Sequence, residues 1–330
     1  MGRELPNRLF LLYNFVTMKI LHWKINPVLQ KTTEADYRNQ LAAKLQDHDA
    51  LTILRDLSLD GVAPNITFQD LENLIKFTEK KFLERKLSGV GLELGSGPAP
   101  FSAVLAKRPE IQKMYAVELC RPIVEILLPK MAEAAAGPAA GKIVGCVGEF
   151  DNLELPDNYL DFMIDFFSLH HSPDPIKTLK ECRRVLKSGG VIICFDKARP
   201  DDLTTADLDR LLDKEYEDDF KKRMGIPLTQ KLTRRQNGEH EYRLKDWQNY
   251  FNQSGFSEFY HFRLDQCRSG LFPIKMIKYI LSILPVKMET MITQFLPQSL
   301  DQYQLAWDNR LFTPIINNFR KEMSLMIASQ

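Results

Sequence analysis

The chain has 330 residues, 44% of them hydrophobic, with 44 basic against 43 acidic residues and a formal net charge of +1. That length supports one large core or two modest ones without staples. A balance so near neutral excludes a broad phosphate-binding face and leaves room only for local basic patches.

The five cysteines, Cys120, Cys146, Cys182, Cys194 and Cys267, have no paired spacing. They read as reduced packing residues of a cytosolic protein, with no zinc knuckle and no metal site. At the N-terminus, Pro6 stands where a myristoylation signal wants Ser or Thr. The apolar stretch Leu9–Ile20 is broken by Asn14 and Lys19 and lacks a cleavage site, so no secretory leader is expected. No uncharged apolar run reaches the length of a membrane span. The expectation is a soluble, cytoplasmic protein.

In chain order, residues 1–88 read as a mostly helical N-terminal extension. One helix is capped by Thr33 or Asp36 and runs to Asp47. Another covers Phe68–Leu87, where Leu71, Leu74, Ile75, Phe77 and Phe82 recur with helical rhythm, and Ser88-Gly89 ends it. Strands and helices then alternate. Strands are predicted at Val90–Leu94, Lys113–Glu118, Lys142–Val147, Leu160–Phe166 and Val191–Phe195. Helices are predicted at Ala99–Ala106, at Arg121–Ala136 and from Pro175 to about Leu186, the last capped by Asp174 with proline at its first position. Short, continuously apolar strands separated by helices predict an α/β fold, a Rossmann-like doubly wound parallel sheet covered on both faces. Residues 197–243 form a charged insert, helical over Asp207–Arg223 and broken at Gly225-Ile226-Pro227. A helix at Leu244–Asn252 leads to a sixth strand at Phe256–Leu264. Residues 266–330 read as a helical C-terminal extension punctuated by Pro273, Pro285 and Pro297. The chain thus divides into 1–88, a core at 89–265 and 266–330.

Ligands of such sheets lie beyond the carboxyl ends of the strands, and four of those ends carry chemistry. The first is Glu93-Leu94-Gly95-Ser96-Gly97-Pro98-Ala99-Pro100, a glycine turn where backbone takes positive φ or lets a ligand approach. The second is Glu118, a carboxylate placed to accept ribose hydroxyls. The third is Gly148-Glu149-Phe150, and the fourth runs from Asp165 and Phe166 to His170 and His171. A dinucleotide needs its pyrophosphate held by amides at the helix start, and Pro98 and Pro100 remove two of them. The turn therefore disfavours NAD or FAD and suits a ribose-bearing ligand without phosphate, such as S-adenosylmethionine.

These residues, in this order, resemble the class I S-adenosylmethionine-dependent methyltransferases, in particular the small-molecule branch of ubiquinone- and menaquinone-biosynthesis type. The resemblance covers about residues 89–196. It continues through Leu155-Pro156-Asp157-Asn158, Asp161, Leu169-His170-His171, Pro173-Asp174-Pro175, Arg184-Val185-Leu186-Lys187 and Gly189-Gly190. It implies a seven-stranded sheet whose last strand is antiparallel. It also implies cofactor contacts from Glu93, Gly95, Ser96, Gly97, Glu118, Glu149, Phe150, Asp165 and Phe166. Glu149 and Phe150 depart from the family's Asp and small residue at the adenine segment. The Glu149 carboxylate would reach one methylene further, and Phe150 would be free to stack on the purine.

The expected activity is methyl transfer to O, N or S of a small-molecule acceptor, apolar or aromatic in character, yielding S-adenosylhomocysteine. Histidine is the natural base, and His171, His240 and His170 are the catalytic candidates. The alternatives are an RNA or protein methyltransferase of the same fold and a non-catalytic S-adenosylmethionine-binding protein. The neutral charge and the absence of an Asn/Asp-Pro-Pro-Tyr-type motif argue against nucleic acid.

The additions at both ends and the insert are read as a cap over the acceptor. Phe10, Tyr13, Phe15, Trp23 and Tyr37 serve there either as acceptor surface or, as favoured, as the core of the cap. Residues 273–296 read either as a basic amphipathic surface making weak membrane contact or, as favoured, as helices packed on the core. The basic stretch Lys221-Lys222-Arg223, Lys231 and Arg234-Arg235 has acidic neighbours and reads as a solvated helix face.

Overall fold

The fold was derived from a computed structural model that describes residues 18–57, 66–263 and 323–330, with positions 280, 284, 288, 291 and 292 besides. The elements in chain order begin with β1 (Lys19–His22), α1 (Thr33–Leu45), α2 (Ala50–Leu57), α3 (Phe68–Thr78), β2 (Gly89–Leu94), α4 (Pro100–Ala106), β3 (Ile111–Glu118) and α5 (Leu128–Ala136). They continue with β4 (Ile143–Val147), β5 (Leu160–Phe166), α6 (Pro175–Val185), β6 (Leu186–Asp196), α7 (Thr205–Leu212), α8 (Asp218–Met224), α9 (Leu244–Gln253), β7 (Glu258–Arg263) and β8 (Ser324–Ser329).

The strands form one sheet in the order β1-β4-β3-β2-β5-β6-β8-β7. Only β8 runs opposite to the other strands of the sheet. The doubly wound α/β reading therefore holds, with an eighth strand added at one edge.

Two expectations are corrected. The N-terminal extension is not purely helical, because Lys19–His22 pairs in parallel with Val144–Val147 as an edge strand. Nor is the C-terminal extension helical to its end. Ser324–Ser329 inserts between β6 and β7 and supplies the antiparallel seventh strand of the core. Its apolar run Leu325-Met326-Ile327-Ala328 is buried on both faces and so carries no alternation to mark it as a strand. Phe10, Tyr13, Phe15, Cys267 and nearly all of 273–296 lie outside the described residues. Among the described residues no helix is long and apolar enough to cross a membrane.

Alternation along the strands splits the core into two layers. Gly91 and Glu93 of β2 face α4, whereas Leu92 and Leu94 face the other side, where α6 and α9 contribute Leu179, Cys182, Trp247 and Phe251. On the α4 side, Phe101, Val104 and Leu105 pack with Leu71 and Leu74 of α3 and with Val124 and Leu128.

Capping fixes the helix starts. Thr67 and Asp70 form a capping box on α3, and the Asp174 carboxylate accepts from the Lys177 amide ahead of Pro175. The candidate cap for α1 moves by one residue, since the Thr32 hydroxyl accepts from the Ala35 amide. Helix α5 is preceded by a π-helical turn at Ile123–Leu127, which absorbs Pro129 in the following turn.

Register sets up the site. Leu94 lies level with Val117 of β3 and Asp165 of β5, Glu118 with Val147 of β4, and Asp165 with Cys194 of β6. The carboxyl ends of five parallel strands therefore finish at one edge. The strand order turns back between β2 and β5, opening the crevice that such sheets use for ligands.

Candidate functional site

A cleft of about 230 Å³, open to solvent, lies at this edge. Gly95, Ser96 and Gly97 form its floor, and Glu118, Glu149, Phe150 and Phe166 stand around them. Among the sequence candidates, these residues with Glu93, His171 and His240 are brought together on its wall.

The glycine turn is held open by two devices. Gly95 has φ +55°, and a Cβ there would lie 2.3 Å from the Ser168 Oγ, so no larger residue fits. Gly97 has φ +50° and nothing within 4 Å of a Cβ position, which leaves its face to the cleft. Glu118 braces the turn from β3. One carboxylate oxygen accepts from the Gly97 amide at 3.0 Å, and the other accepts from the Cys120 amide at 2.8 Å. Each oxygen keeps a lone pair for a ligand.

Glu93 does something different from holding a ligand. Its two oxygens accept from the amides of Phe101 and Ser102 at 3.2 and 2.6 Å. The first available amides of α4 are thereby used by a carboxylate of the protein, the place where a phosphate would otherwise bind. Burial pushes the Glu93 carboxyl up to about 7, against the lowering effect of the Ser102 and Phe101 hydrogen bonds.

On the third strand end, Glu149 accepts from the Asn26 amide at 2.7 Å, which fastens the segment before α1 beside the cleft. Leu29, Thr32, Ala35 and Arg38 of that region complete this wall. Arg38 is the one lysine or arginine among the lining residues. Trp23 and Tyr37 are core residues: Trp23 covers Gly148 and Tyr37 packs edge-on to Phe220 at 6.4 Å.

Asp165 and His170 do not reach the cleft. Alternation turns Phe166 toward it and Asp165 inward, where its carboxylate accepts from the Ser168 hydroxyl and from the Leu169 amide at 2.8 Å. Burial, with the charge of Asp196 adding to it, drives the Asp165 carboxyl well above the usual range. His170 is 1% exposed, its Nδ1 2.6 Å from Asp196 Oδ1. Its Nε2 is buried without a partner, so an imidazolium there would strand an N–H. Burial accordingly holds His170 well below the ordinary histidine range, helped by Lys197 and His171. His171 lies over the His170 ring, centroids 4.2 Å apart, and borders the cleft.

His240 is delivered from the insert by a buried ion cluster that motif reasoning missed. Residues 197–199 and 241–243 run side by side, the Arg199 amide donating to Tyr242 O and the Leu244 amide to Arg199 O. Lys197 Nζ lies 2.6 Å from Glu239 and 3.1 Å from Glu241, and Arg199 Nε lies 2.6 Å from Glu241. Burial works against both carboxylates, yet the Lys197 ammonium prevails and keeps Glu239 well below the usual range and Glu241 below it. With Glu239 and Glu241 turned to Lys197, His240 between them faces the other way, onto the cleft. The available signal was the matched spacing of Lys197-Ala198-Arg199 against Glu239-His240-Glu241.

The expected solvated basic face is corrected at two positions of the insert, which are held by its own acids. Lys221 is buried on Glu215, and Arg235 bridges Asp209 and Asp213 at 2.8 Å each.

Residues 92–194 match the family model of a methyltransferase domain. A demethylmenaquinone methyltransferase of Staphylococcus saprophyticus is 34% identical over 119 residues, which are 33% of this chain and 47% of that protein. One from Staphylococcus haemolyticus is 42% identical over 53 residues, 16% of this chain and 22% of that protein. The chain thus spans less than half the length of these curated relatives. Among solved structures, the YcgJ protein of Bacillus subtilis is 18% identical with a TM-score of 0.43, the match covering 80% of this chain and 99% of that one. Phosphoethanolamine N-methyltransferase 2 of Haemonchus contortus, solved with S-adenosyl-L-methionine, is 14% identical with a TM-score of 0.46, the match covering 88% of this chain and 60% of that one. The matched segment runs from β2 to β6 and holds the glycine turn and Glu118.

Proposed function

We propose that this protein transfers a methyl group from S-adenosylmethionine to a small-molecule acceptor in the cytoplasm. One observation carries the reading. The turn after β2 has its helix-start amides occupied by Glu93, while Glu118 keeps acceptor lone pairs beside the open face of Gly97. That arrangement suits a ribose without a phosphate.

The residues fit the cofactor part by part. Glu118 takes the ribose hydroxyls, and Gly95, Ser96 and Gly97 offer backbone to the methionine portion. Phe150 and Glu149 flank the adenine. Arg38 on the wall is suited to the carboxylate. Glu93 and Asp165 act as positioning residues, the first fixing α4 and the second the loop after β5.

The cofactor supplies a methyl group already activated on a sulfonium. What remains for the protein is alignment and exclusion of water, which orientation largely achieves. The acceptor lies toward Phe166, Phe167, Pro173, His171 and His240, a mainly aromatic and apolar wall bearing two imidazoles. The Staphylococcus relatives are named for demethylmenaquinone, which supports an apolar or aromatic acceptor.

Isothermal calorimetry tests the reading. S-adenosylmethionine and S-adenosylhomocysteine should bind at one site and compete, while NADH gives no heat. Binding of NADH in their place would overturn it.

A further inference from the structure

We propose that His240 is the proton acceptor of the reaction and that the methyl acceptor is an acidic X–H compound, a phenol or a thiol. The proposal rests on the methyltransferase reading above and deepens it.

His240 Nδ1 lies 2.9 Å from the carbonyl oxygen of His170. A carbonyl only accepts, so Nδ1 carries the proton and donates it there. In the neutral ring Nε2 then holds a lone pair. Nε2 has no protein partner among the described residues, and the ring forms part of the cleft wall. Two contacts fix the ring, the His170 carbonyl and the Tyr242 ring stacked on it (5.9 Å between centroids, planes 8° apart), and the carboxylates on either side are anchored on Lys197. Burial lowers the His240 pKa, so the ring is neutral near pH 7. His170, by contrast, is sealed from the cleft and has its Nδ1 on Asp196.

The acceptor class follows from acid strength. Thiols and phenols, with ordinary pKa values of about 8.5 and 10, lie close enough to imidazole for useful proton transfer in the transition state. In the step, the X–H proton passes to His240 Nε2 while X bonds to the methyl carbon. The carbon–sulfur bond breaks, and its electron pair stays on sulfur, giving neutral S-adenosylhomocysteine. The imidazolium then releases its proton to solvent.

The groups that shape the titration of His240 are the His170 carbonyl and His171 after β5, Lys197 at the end of β6 and Arg235 of the insert, while its neighbours Glu239 and Glu241 are turned away onto Lys197. The first test uses no turnover. Nitrogen-15 NMR of the protein saturated with S-adenosylhomocysteine, with the signal assigned through His240→Asn, should show the Nδ1–H tautomer at pH 7 and protonation only below about 6.5, the ordinary histidine pKa. An Nε2–H tautomer or an imidazolium at pH 7 overturns the proposal.

The second test measures transfer of tritiated methyl to a graded series of phenols and thiophenols. His240→Asn keeps a donor for the His170 carbonyl but removes the base. It should leave calorimetric S-adenosylmethionine affinity within twofold, lower kcat at least about 100-fold with little change in KM, and abolish the acid limb of the pH profile. Unchanged kcat, or loss of that limb in His171→Asn instead, rejects His240. If S-adenosylmethionine binds but no phenol or thiophenol is methylated, the acceptor class falls. If S-adenosylmethionine does not bind, the methyltransferase reading falls with it.

Discussion

The two sides of the cleft are built from different materials. The side assigned to the cofactor is a contiguous turn, Gly95-Ser96-Gly97, whose shape is set by backbone conformation and braced by Glu118. The side assigned to the acceptor is assembled from the segment after β5 and from residues 238–240, brought together by ions buried between Lys197, Arg199, Glu239 and Glu241. A backbone turn tolerates few substitutions but asks nothing of distant residues. An ion cluster lets an insert be attached to a sheet edge through a handful of side chains, so the acceptor wall can vary without disturbing the floor.

The comparison is broken most severely at Lys197. It is 3% exposed and neutralises two nearly buried carboxylates. Lys197→Met should lower stability by about 3–5 kcal/mol, the usual consequence of leaving buried charge unpaired, as read from urea unfolding. Cofactor affinity in the surviving folded protein should change little. Complete loss of S-adenosylmethionine binding would show that the two sides are not independent.

Gly95→Ala probes the other side. The new methyl meets Ser168 at a left-handed backbone position, so overpacking of about 1–3 kcal/mol adds to backbone strain of about 1–2 kcal/mol. Cofactor binding measured by calorimetry should fall with stability, and the His170–Asp196 pair, followed by NMR, should be retained. A variant with wild-type affinity would remove the turn from the binding site.

Glu118→Ala removes a charged acceptor from the ribose position, with an expected loss of about 1–3 kcal/mol in S-adenosylmethionine affinity. Because Glu118 also holds the Gly97 and Cys120 amides, part of that loss comes from a loosened turn. Glu118→Gln, which keeps one acceptor oxygen, should recover some of it. Equal affinities in all three proteins would contradict the ribose assignment.

Legibility in the sequence follows the same division. Interactions between near neighbours in the chain were readable: the strands from β2 to β7, the Asp174 cap and the glycine turn all lie within a few residues of their expected places. Glu118, although remote from the turn, was found because register fixes the end of β3 against β2. What was hidden depended on partners far apart in sequence. β8 joins the sheet some 60 residues after β7 and shows no alternation because both its faces are buried. Asp165 and Glu93 were grouped with the ligand contacts, yet strand alternation and the start of α4 claim their carboxylates first. The Lys197 cluster spans some 40 residues, and only its paired i, i+2 spacing hinted at it.

The gentlest probe replaces one buried ring and tests the seam between the two sides. His170 touches Asp196, a contact that would ordinarily raise a histidine's pKa, yet its buried, unpartnered Nε2 requires the neutral ring. Its folded pKa is therefore depressed below its unfolded value. As pH falls through about 6.5, the unfolded chain gains a proton that the folded chain refuses. The His170 contribution to stability is thus complete above that pH and declines below it. Asp196, raised by burial to about 6, and Glu93, raised to about 7, act in the opposite sense, since the native state holds their protons more tightly than the unfolded state. Comparing wild type with His170→Gln from pH 5 to 8 removes the contribution of Glu93, which is common to both proteins. The stability difference should be flat above pH 7 and should shift in favour of the glutamine variant as pH falls. A shift in favour of wild type would mean that His170 and Asp196 form a true ion pair, and that charge rather than a fixed neutral tautomer joins the sheet edge to the acceptor wall.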